Sequence, residues 1–355
     1  MHGVNNEQIR PLAILSAGCV TSVGKSPDAL CASVRCGRPP QPEFLEIPGL
    51  DRKGVVYCVP PDEALGGGFP RLRRSGAISL LACEAAKRAL AAGPPIDLAR
   101  CAVLFATANG AASNTRRFYA GVVADGTGSP VLFPETVYNA PASHIAALAG
   151  IDGEVLTLTG DATAATDALL LASQWIGDGT AETCLVVAAE ELDELTWEAY
   201  NCWGLVKSDA SAGRGAVLSE GAIALLLGNA ESDRPAIRRI HPGTTCHRGR
   251  RISHAIGQVV NDLCTGRDPS LVVSSASGTR FDLVESKIVR ERLPRTPVLK
   301  PKLVTGESLT VSVLAQTIVA QDRISSGEAA SALVPVTGWN GRVGGLILTH
   351  GETDG

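Results

Sequence analysis

Short apolar segments alternate with helical patterns along the chain, and this alternation most constrains the fold. The segments that predict strands are almost unbroken apolar runs, such as "LAILSAGCV" (Leu12 to Val20) and "CLVVAAEE" (Cys184 to Glu191). Between them, "SGAISLLACEAAKRALAAG" (Ser75 to Gly93) places apolar residues along one side of a helix. Because strands without a polar face must be covered on both sides, the sequence predicts layered α/β structure.

The same pattern begins again near residue 231. There "PAIRRIHPG" predicts a strand, "RISHAIGQVVNDLCTG" a helix and "SLVVSSASG" a second buried strand, although no sequence repeat is visible. We therefore expect two structurally similar halves, residues 1–230 and 231–355, packed as one compact unit. A chain of 355 residues that is 45% hydrophobic can bury a core of that size.

The charge balance argues against one class of partner. A formal net charge of −4 does not suit nucleic-acid binding, which needs a basic surface. The only dense basic run is "HRGRR" (His247 to Arg251). Such a run is most often a solvated loop or a helix start, and the alternative is a docking patch for an acidic partner.

Ten cysteines are scattered along the chain, mostly among apolar neighbours, and no Cys-x-x-Cys pair occurs. This usage is typical of buried thiols in a reducing compartment. Cys246 and His247 alone are weak evidence for a metal site. The chain start lacks the features of a secretion signal, and no apolar run reaches the ~18 residues of a membrane span. We therefore expect a soluble, cytoplasmic protein with no metal or organic cofactor.

A sharp turn, Gly160-Asp161-Ala162-Thr163, connects the predicted strand "VLTLT" to a helix. A nucleophile at such a helix start gains from the helix dipole and from backbone N–H groups that lack an intrahelical partner. Ala162 offers only a methyl group at that place. We expect Asp161 to cap the helix, and Thr163 could act as a nucleophile only with an adjacent base.

Taken together, these segments resemble the β-ketoacyl-[acyl-carrier-protein] synthases, which have the thiolase fold. The likeness covers nearly the whole chain. It is carried by "LAILSAGCVTSVGKSPDALCASVRCG", "FPETVYNAPASHIAALAG", "VLTLTGDATAATDALLLASQWIGDG", "LSEGAIALLLGN" and "KLVTGESLTVSVLAQTIVA". The resemblance implies an α/β, thiolase-like fold with two similar halves in a layered α/β/α/β/α arrangement.

Active members of that family use one cysteine and two histidines, and all three positions are altered here. The resemblance places the cysteine position at Ala162 and the histidine of the His-Gly-Thr motif at Ser277 of "SGTRFD". The histidine of the Thr-Gly-His motif falls on Glu307 of "TGES", whereas the supporting lysine is retained as Lys302. The resemblance therefore implies a degenerate catalytic triad.

Other positions depart from the family pattern as well. The acidic residue after the first motif is Asp282 or Glu285. None of the six histidines lies in either motif, and His144 suits a packed role better than a catalytic one. Only about forty residues separate "GAIALLLGN" from "SLVVSSASG", and Trp339 and Asn340 occupy the family's Gly-rich gating loop.

The function implied by the resemblance is that of a chain-length factor, an inactive homologue that pairs with an active ketosynthase and shapes the tunnel for the growing chain. Acyl carrier protein is then an indirect partner. A second hypothesis is an acyltransferase or hydrolase in the same fold that uses Thr163, Ser277 and Glu307, with Lys302 nearby. A third is a scaffold or carrier-docking module, for which the basic run at Arg248 to Arg251 is the hint.

Overall fold

The computed structural model of the chain describes residues 10–47, 53–60, 72, 75–207, 213–230, 234–246 and 252–350. The basic run of residues 247–251 lies outside these described residues. The strands are β1 Leu12–Thr21, β2 Glu43–Glu46, β3 Lys53–Tyr57, β4 Cys101–Thr107, β5 Val155–Thr159, β6 Thr183–Glu190, β7 Leu218–Ser219, β8 Gly221–Asn229, β9 Pro235–Thr245, β10 Leu271–Val273, β11 Val298–Leu299, β12 Ser331–Thr337 and β13 Arg342–His350.

The helices connect these strands. They are α1 Pro27–Cys36, α2 Ala77–Ala92, α3 Ala112–Asp125, α4 Ala140–Ala149, α5 Thr163–Asp178, α6 Glu194–Cys202, α7 Ile252–Leu263, α8 Phe281–Arg292, α9 Lys302–Thr305 and α10 Thr310–Ser325. Two short 3-10 turns span Leu98–Arg100 and Phe133–Glu135. The apolar runs and helical patterns of the sequence thus become strands and helices in the expected order.

Ten strands form one continuous sheet in the order β11-β10-β12-β13-β9-β1-β8-β6-β4-β5. From the centre outward, the strands of the N-terminal half are β1, β8, β6, β4 and β5, and those of the C-terminal half are β9, β13, β12, β10 and β11. If only the strands of this sheet are counted in chain order, both halves have the order first, fifth, fourth, second and third. The directions agree too, because the first two pairings in each half are antiparallel and the last two are parallel. The prediction of two similar halves is confirmed by this topology, and the halves meet where β1 pairs with β9.

Three apolar cores give the fold its layers. The largest core joins α5 and α10 to strands of both halves, so these two helices form a central layer between the sheet halves. A second core packs α2 and α4 against the outer face of the N-terminal half. A third packs α7 and α8 against the outer face of the C-terminal half. The layers therefore follow the expected α/β/α/β/α arrangement.

Local sequence signals account for some helix ends but not for others. Ser26, Pro27 and Gly37 in "SPDALCASVRCG" predict the start and the end of a helix, and α1 follows this prediction. The side chain of Ser26 accepts the N–H of Ala29, Pro27 occupies the first turn, and Gly37 adopts the left-handed conformation at the end. The sequence "SNTRRF" predicts a serine or asparagine cap for α3. This prediction is wrong, because α3 begins at Ala112, before both residues, and has no side-chain cap of its own.

A small three-stranded sheet, β2-β3-β7, lies beside the main sheet, and the sequence did not predict it. It packs over Trp197, whose side chain is completely buried. Gly54 of β3 is required there, because a Cβ atom at this position would lie 2.4 Å from the indole ring. This sheet covers the side of the molecule on which the candidate site lies.

The cysteines, the possible metal ligands and the hydropathy of the helices are described here for the residues that the structure describes. No two cysteines form a disulfide there, and burial raises the pKa of the Cys83 and Cys184 thiols to about 12. Within the same residues, no group of three or more histidine, cysteine or acidic side chains could hold a metal ion. None of the helices that the structure describes combines the length and the hydropathy needed to cross a bilayer.

Candidate functional site

The turn before α5 presents a methyl group where a nucleophile would stand. Ala162 is buried, with 3% of its surface exposed, and it forms part of the central core. Asp161 acts as the predicted cap, because one carboxylate oxygen accepts the backbone N–H of Thr163 at 2.9 Å. The same oxygen accepts the Thr163 hydroxyl at 2.7 Å. The turn is therefore well ordered by its own polar groups but carries no nucleophile at residue 162.

Glu307 forms a buried ion pair with Lys302. Its Oε2 atom lies 3.0 Å from the Lys302 ammonium, and the two side chains are 2% and 1% exposed. Its Oε1 atom accepts the backbone N–H of Leu309 at 2.9 Å. In this arrangement both carboxylate oxygens act as acceptors, so the side chain presents no hydrogen-bond donor of the kind that stabilises a developing oxyanion.

The backbone of Leu309 has an unusual conformation that depends on its hydrogen bond to Glu307. Its φ of 46° is the one positive value among the described residues other than glycine. A branched residue in that region carries strain of about 1–3 kcal/mol. The bond from its N–H to Glu307 fixes this conformation just before α10 begins at Thr310. Glu307 thus acts here as a structural anchor for the start of α10.

Ser277 and the acidic residues after it form a separate polar cluster. Asp282 accepts the N–H groups of Ser277 and Gly278 at 3.2 and 2.7 Å, so it organises the turn at this motif. The Ser277 hydroxyl forms no hydrogen bond with any residue that the structure describes, so no base activates it. Glu285 lies deeper, where it accepts the N–H of Ser275 at 3.0 Å and the Thr337 hydroxyl at 3.0 Å.

One extended segment connects the two degenerate motifs. The N–H of Gly215 donates to the carbonyl of Gly278 at 2.8 Å. Two residues further on, the carbonyl of Val217 accepts the N–H of Glu307 at 2.8 Å, and the N–H of Ser219 donates to the carbonyl of Glu307 at 2.9 Å. The motifs of Ser277 and Glu307, separated by thirty residues in sequence, therefore lie along the same short stretch of backbone.

The loop of the predicted gate contacts the turn of Ala162. A Cβ atom on Gly338 would lie 1.7 Å from a carboxylate oxygen of Asp161, so only glycine allows this approach. The next residue, Trp339, packs edge-on against Tyr200 with ring centroids 5.0 Å apart. The aromatic side chain at the gate position thus packs against α6.

Tyr200 marks the point where the elements of the site meet. Burial raises the pKa of its hydroxyl, and the nearby carboxylates of Glu190, Glu307 and Asp161 raise it further. Its hydroxyl donates to the side chain of Asn109 at 2.9 Å. Carboxylates from β6, from the turn before α5 and from the segment before α10 are therefore all close enough to this phenol to raise the pKa of its hydroxyl.

Glu190 is the functional group that sequence reasoning missed. It is completely buried and accepts the N–H of Ala108 at 2.7 Å and the Thr310 hydroxyl at 2.6 Å. Burial raises the pKa of this carboxyl from 4.5 to about 7, although these hydrogen bonds and those from Asn109 and Thr107 oppose the rise. The available signal was the pair of glutamates that ends the buried strand "CLVVAAEE".

The second glutamate of this pair has a structural role. Glu191 accepts the N–H of Ser113 at 2.8 Å and the N–H of Ile78 at 3.2 Å, which lie in the first turns of α3 and α2. One buried carboxylate therefore supplies the acceptor that both helix starts lack. This arrangement explains why α3 needs no serine or asparagine cap.

His144 lies at the edge of this region and has a local partner. Its Nε2 atom is 3.0 Å from a carboxylate oxygen of Glu135, and its ring is partly buried. It contacts none of the three degenerate positions. This arrangement agrees with the packed role that the sequence favoured.

The sequence profile described as "Beta-ketoacyl synthase, N-terminal domain" matches residues 10–232. The chain belongs to the β-ketoacyl synthase family. The matched region includes β1, the turn of Ala162 and Glu190, whereas Ser277, Lys302 and Glu307 lie beyond it. A search of curated protein sequences finds no match.

Solved structures with the same thiolase-like fold cover almost the whole of this family member. "The ishigamide ketosynthase/chain length factor" has a TM-score of 0.81 at 18% identity, over 96% of this chain and 100% of that one. A β-ketoacyl synthase from Burkholderia phymatum STM815 has a TM-score of 0.81 at 15% identity, over 97% and 100% of the two chains. The complex of the ketosynthase ApeO with its chain length factor ApeC, from Xenorhabdus doucetiae, has a TM-score of 0.77 at 16% identity, over 99% and 100%.

Proposed function

We propose that this chain is a non-catalytic ketosynthase-family subunit, a chain-length factor, that pairs with an active β-ketoacyl synthase and helps to form the tunnel for the growing acyl chain. The proposal rests on Glu307, which occupies the histidine position. Its two carboxylate oxygens already accept hydrogen bonds, one from Lys302 and the other from the N–H of Leu309. With Ala162 in place of the nucleophile, neither acyl transfer nor enolate stabilisation has the group it needs.

An exposed apolar region supports pairing with a second subunit of this fold. Eight of the fifteen exposed large hydrophobic side chains in the described residues lie between Tyr119 and Leu156. Strand β5, which contains Val155 and Leu156, is the last strand of the sheet and pairs only with β4. An exposed edge strand with apolar side chains is a template for pairing with another chain. In this proposal, the chain that pairs with β5 is an active ketosynthase, through the corresponding edge strand of its own sheet.

Assays with carrier proteins test the catalytic half of the proposal. The purified chain alone is incubated with malonyl- and acyl-carrier protein, and we expect decarboxylation and condensation at background level. The matched control is Ala162→Cys, which restores only the nucleophile and should also fail to condense, because Ser277 and Glu307 still occupy the histidine positions. Turnover by the unmodified chain that is lost in Glu307→Ala or Ser277→Ala would contradict the proposal.

Co-expression tests the pairing half. The chain is expressed with a ketosynthase that has an intact cysteine and two histidines, and we expect a one-to-one complex with condensing activity that neither subunit has in the same measure alone. A chain that remains a homodimer in the presence of that ketosynthase, without effect on its product lengths, would overturn this part.

The alternative of a non-standard acyltransferase or hydrolase depends on an accessible nucleophile. Thr163 has a carboxylate partner in Asp161, but Thr163 is only 1% exposed and both of its polar groups are used to start α5. The Ser277 hydroxyl has no hydrogen bond to a base among the residues that the structure describes. Incubation with an acyl thioester followed by peptide mass spectrometry distinguishes the two functions, since an adduct at either residue would favour the enzyme.

A further inference from the structure

A cavity of about 820 Å³ opens on the C-terminal half, away from the site described above. Its polar lining includes Arg238, Arg239, Arg267, Asp268, Ser270 and His350. It lies where β12 begins, whereas the degenerate site lies beyond the other end of that strand. The seven residues of β12, at roughly 3.3 Å each, separate the two places by about 20 Å. A volume of this size is typical of small-molecule sites.

A β-bulge directs two consecutive arginines to this cavity. Strand β9 pairs with β13 so that Arg239 lies opposite Ile347, whereas Ile237 lies opposite Leu348, which leaves Arg238 as the extra residue. In a regular strand, adjacent side chains point to opposite faces. At a bulge this alternation is interrupted and a side chain is re-aimed. Both Arg238 and Arg239 therefore line the same cavity.

Arg239 already has a structural task. Its Nη1 atom donates to the carbonyl of Leu263, the last residue of α7, at 3.1 Å and to the carbonyl of Thr265 just beyond it at 2.9 Å. A guanidinium group at this place satisfies helix-end carbonyls and complements the helix dipole. Its position is thus fixed by the fold, and it contributes positive charge to the wall of the cavity.

Arg238 has no such task. Its Nε and Nη2 atoms are buried and form no hydrogen bond, and the side chain has no ion-pair partner among the residues that the structure describes. Leaving charged donors buried without an acceptor is unfavourable. These two atoms form one edge of the guanidinium group, the fork that binds both oxygens of an oxyanion. Both atoms are buried in this structure, so binding an oxyanion at this fork requires the Arg238 side chain to rotate toward the cavity. No hydrogen bond to the described residues opposes that rotation.

The described lining of the cavity is positively charged although the chain as a whole is acidic. Among the described residues, Arg238, Arg239 and Arg267 give three positive charges and Asp268 gives one negative charge. The two net positive charges of these residues match the charge of about −1.5 to −2 that a phosphate monoester carries near neutral pH. A single carboxylate would leave part of this charge uncompensated.

We infer that this cavity binds a phosphate monoester of a small molecule, with the phosphate on the Nε and Nη2 atoms of Arg238 and with Arg267 at the rim. The remaining volume holds the organic part of the ligand. Inorganic phosphate shares the recognised chemistry and binds at the same fork. The inference is independent of the proposed function, since it uses none of the residues of the degenerate site.

Calorimetric titration with three probes tests the inference: 4′-phosphopantetheine, its dephosphorylated counterpart pantetheine, and inorganic phosphate. We expect one saturable site for the phosphate monoester, weaker binding of inorganic phosphate to the same site, and no binding of pantetheine. Arg238→Leu should weaken the phosphate probes at least tenfold, and Arg267→Leu should weaken them several-fold. The matched control is Arg100→Leu, an exposed arginine of the N-terminal half, which should leave binding unchanged.

The unfolding temperature without ligand adds an independent readout. Because the Arg238 side chain forms no hydrogen bond with the residues that the structure describes, Arg238→Leu should leave this temperature unchanged or raise it, which separates loss of binding from loss of folding. Arg267 is exposed, so Arg267→Leu remains informative even if Arg238→Leu fails to fold. Absence of saturable binding, equal binding by Arg238→Leu, or equal weakening by Arg100→Leu would each overturn the inference.

Discussion

At the scale of single residues, the ion pair between Lys302 and Glu307 defines the degenerate site. Removing one member of a buried pair leaves the other charge without compensation, so Lys302→Met should lower the free energy of unfolding by about 3–5 kcal/mol. The double variant Lys302→Met/Glu307→Gln should recover part of this loss, since glutamine keeps an acceptor for the N–H of Leu309. Urea unfolding of the two single variants and the double variant measures the coupling.

The matched control for this cycle is the exposed pair of Lys53 and Glu46, whose atoms are also 3.0 Å apart. Lys53→Met should change the stability by less than about 1 kcal/mol, because solvent screens an exposed pair. An equally small effect of Lys302→Met would show that the buried pair does not anchor the start of α10.

The raised pKa of Glu190 predicts that the free energy of unfolding depends on pH. Its carboxyl has a pKa of about 7 in the folded chain, against 4.5 when unfolded. Between these values the folded chain holds a proton that the unfolded chain has lost, so stability falls as the pH rises through this window. The group should contribute up to roughly 3 kcal/mol of such pH dependence. Glu190→Gln should remove it, measured as the difference in unfolding free energy from the unmodified chain at several pH values.

Burial also raises the pKa of the Glu191 and Glu220 carboxyls, so the difference between the two proteins is the decisive quantity. Glu182→Gln, which removes an exposed carboxyl that pairs with Arg100, is the control for the loss of a carboxyl that is not buried. A difference for Glu190→Gln that does not change with pH would mean that the Glu190 carboxyl titrates in the folded chain as it does when unfolded.

At the scale of elements, strand β5 is an edge strand of the main sheet, so one of its sides has no neighbouring strand among the described residues. Leu156 is 43% exposed on a strand that has a neighbour on one side only. Leu156→Arg should leave the fold and its unfolding free energy almost unchanged, since the side chain is not in a core. It should weaken association with an active ketosynthase at least tenfold, because burying an arginine against an apolar partner is unfavourable. Analytical ultracentrifugation of the co-expressed pair measures this.

Leu283→Arg provides the control for this element. Leu283 is 60% exposed on α8, in the C-terminal half, and the same chemical change there should not affect association. Equal association by the two variants would place the partner on another surface of the chain.

At the scale of the whole molecule, the two sheet halves share the central helices α5 and α10. Ala162 directly precedes the first of these helices and Glu307 anchors the start of the second, so the candidate site lies where the halves meet. At these positions a methyl group fills the turn, and Glu307 forms bonds of its own. In the proposed function, these contacts allow the fold to persist without catalytic residues.

The sequence by itself determined the type and order of the main elements, because apolar periodicity is a local property of the chain. It also determined that residue 162 has no nucleophile and that α1 ends at Gly37, since each follows from the identity of one residue. Only the tertiary structure decided what Glu190 and Glu191 do, because their donors come from segments about eighty or more residues away. The same holds for the small sheet over Trp197, whose strands are too short to show a period. It holds for Arg238 as well, since a bulge, and with it the direction of a side chain, depends on the register of two paired strands.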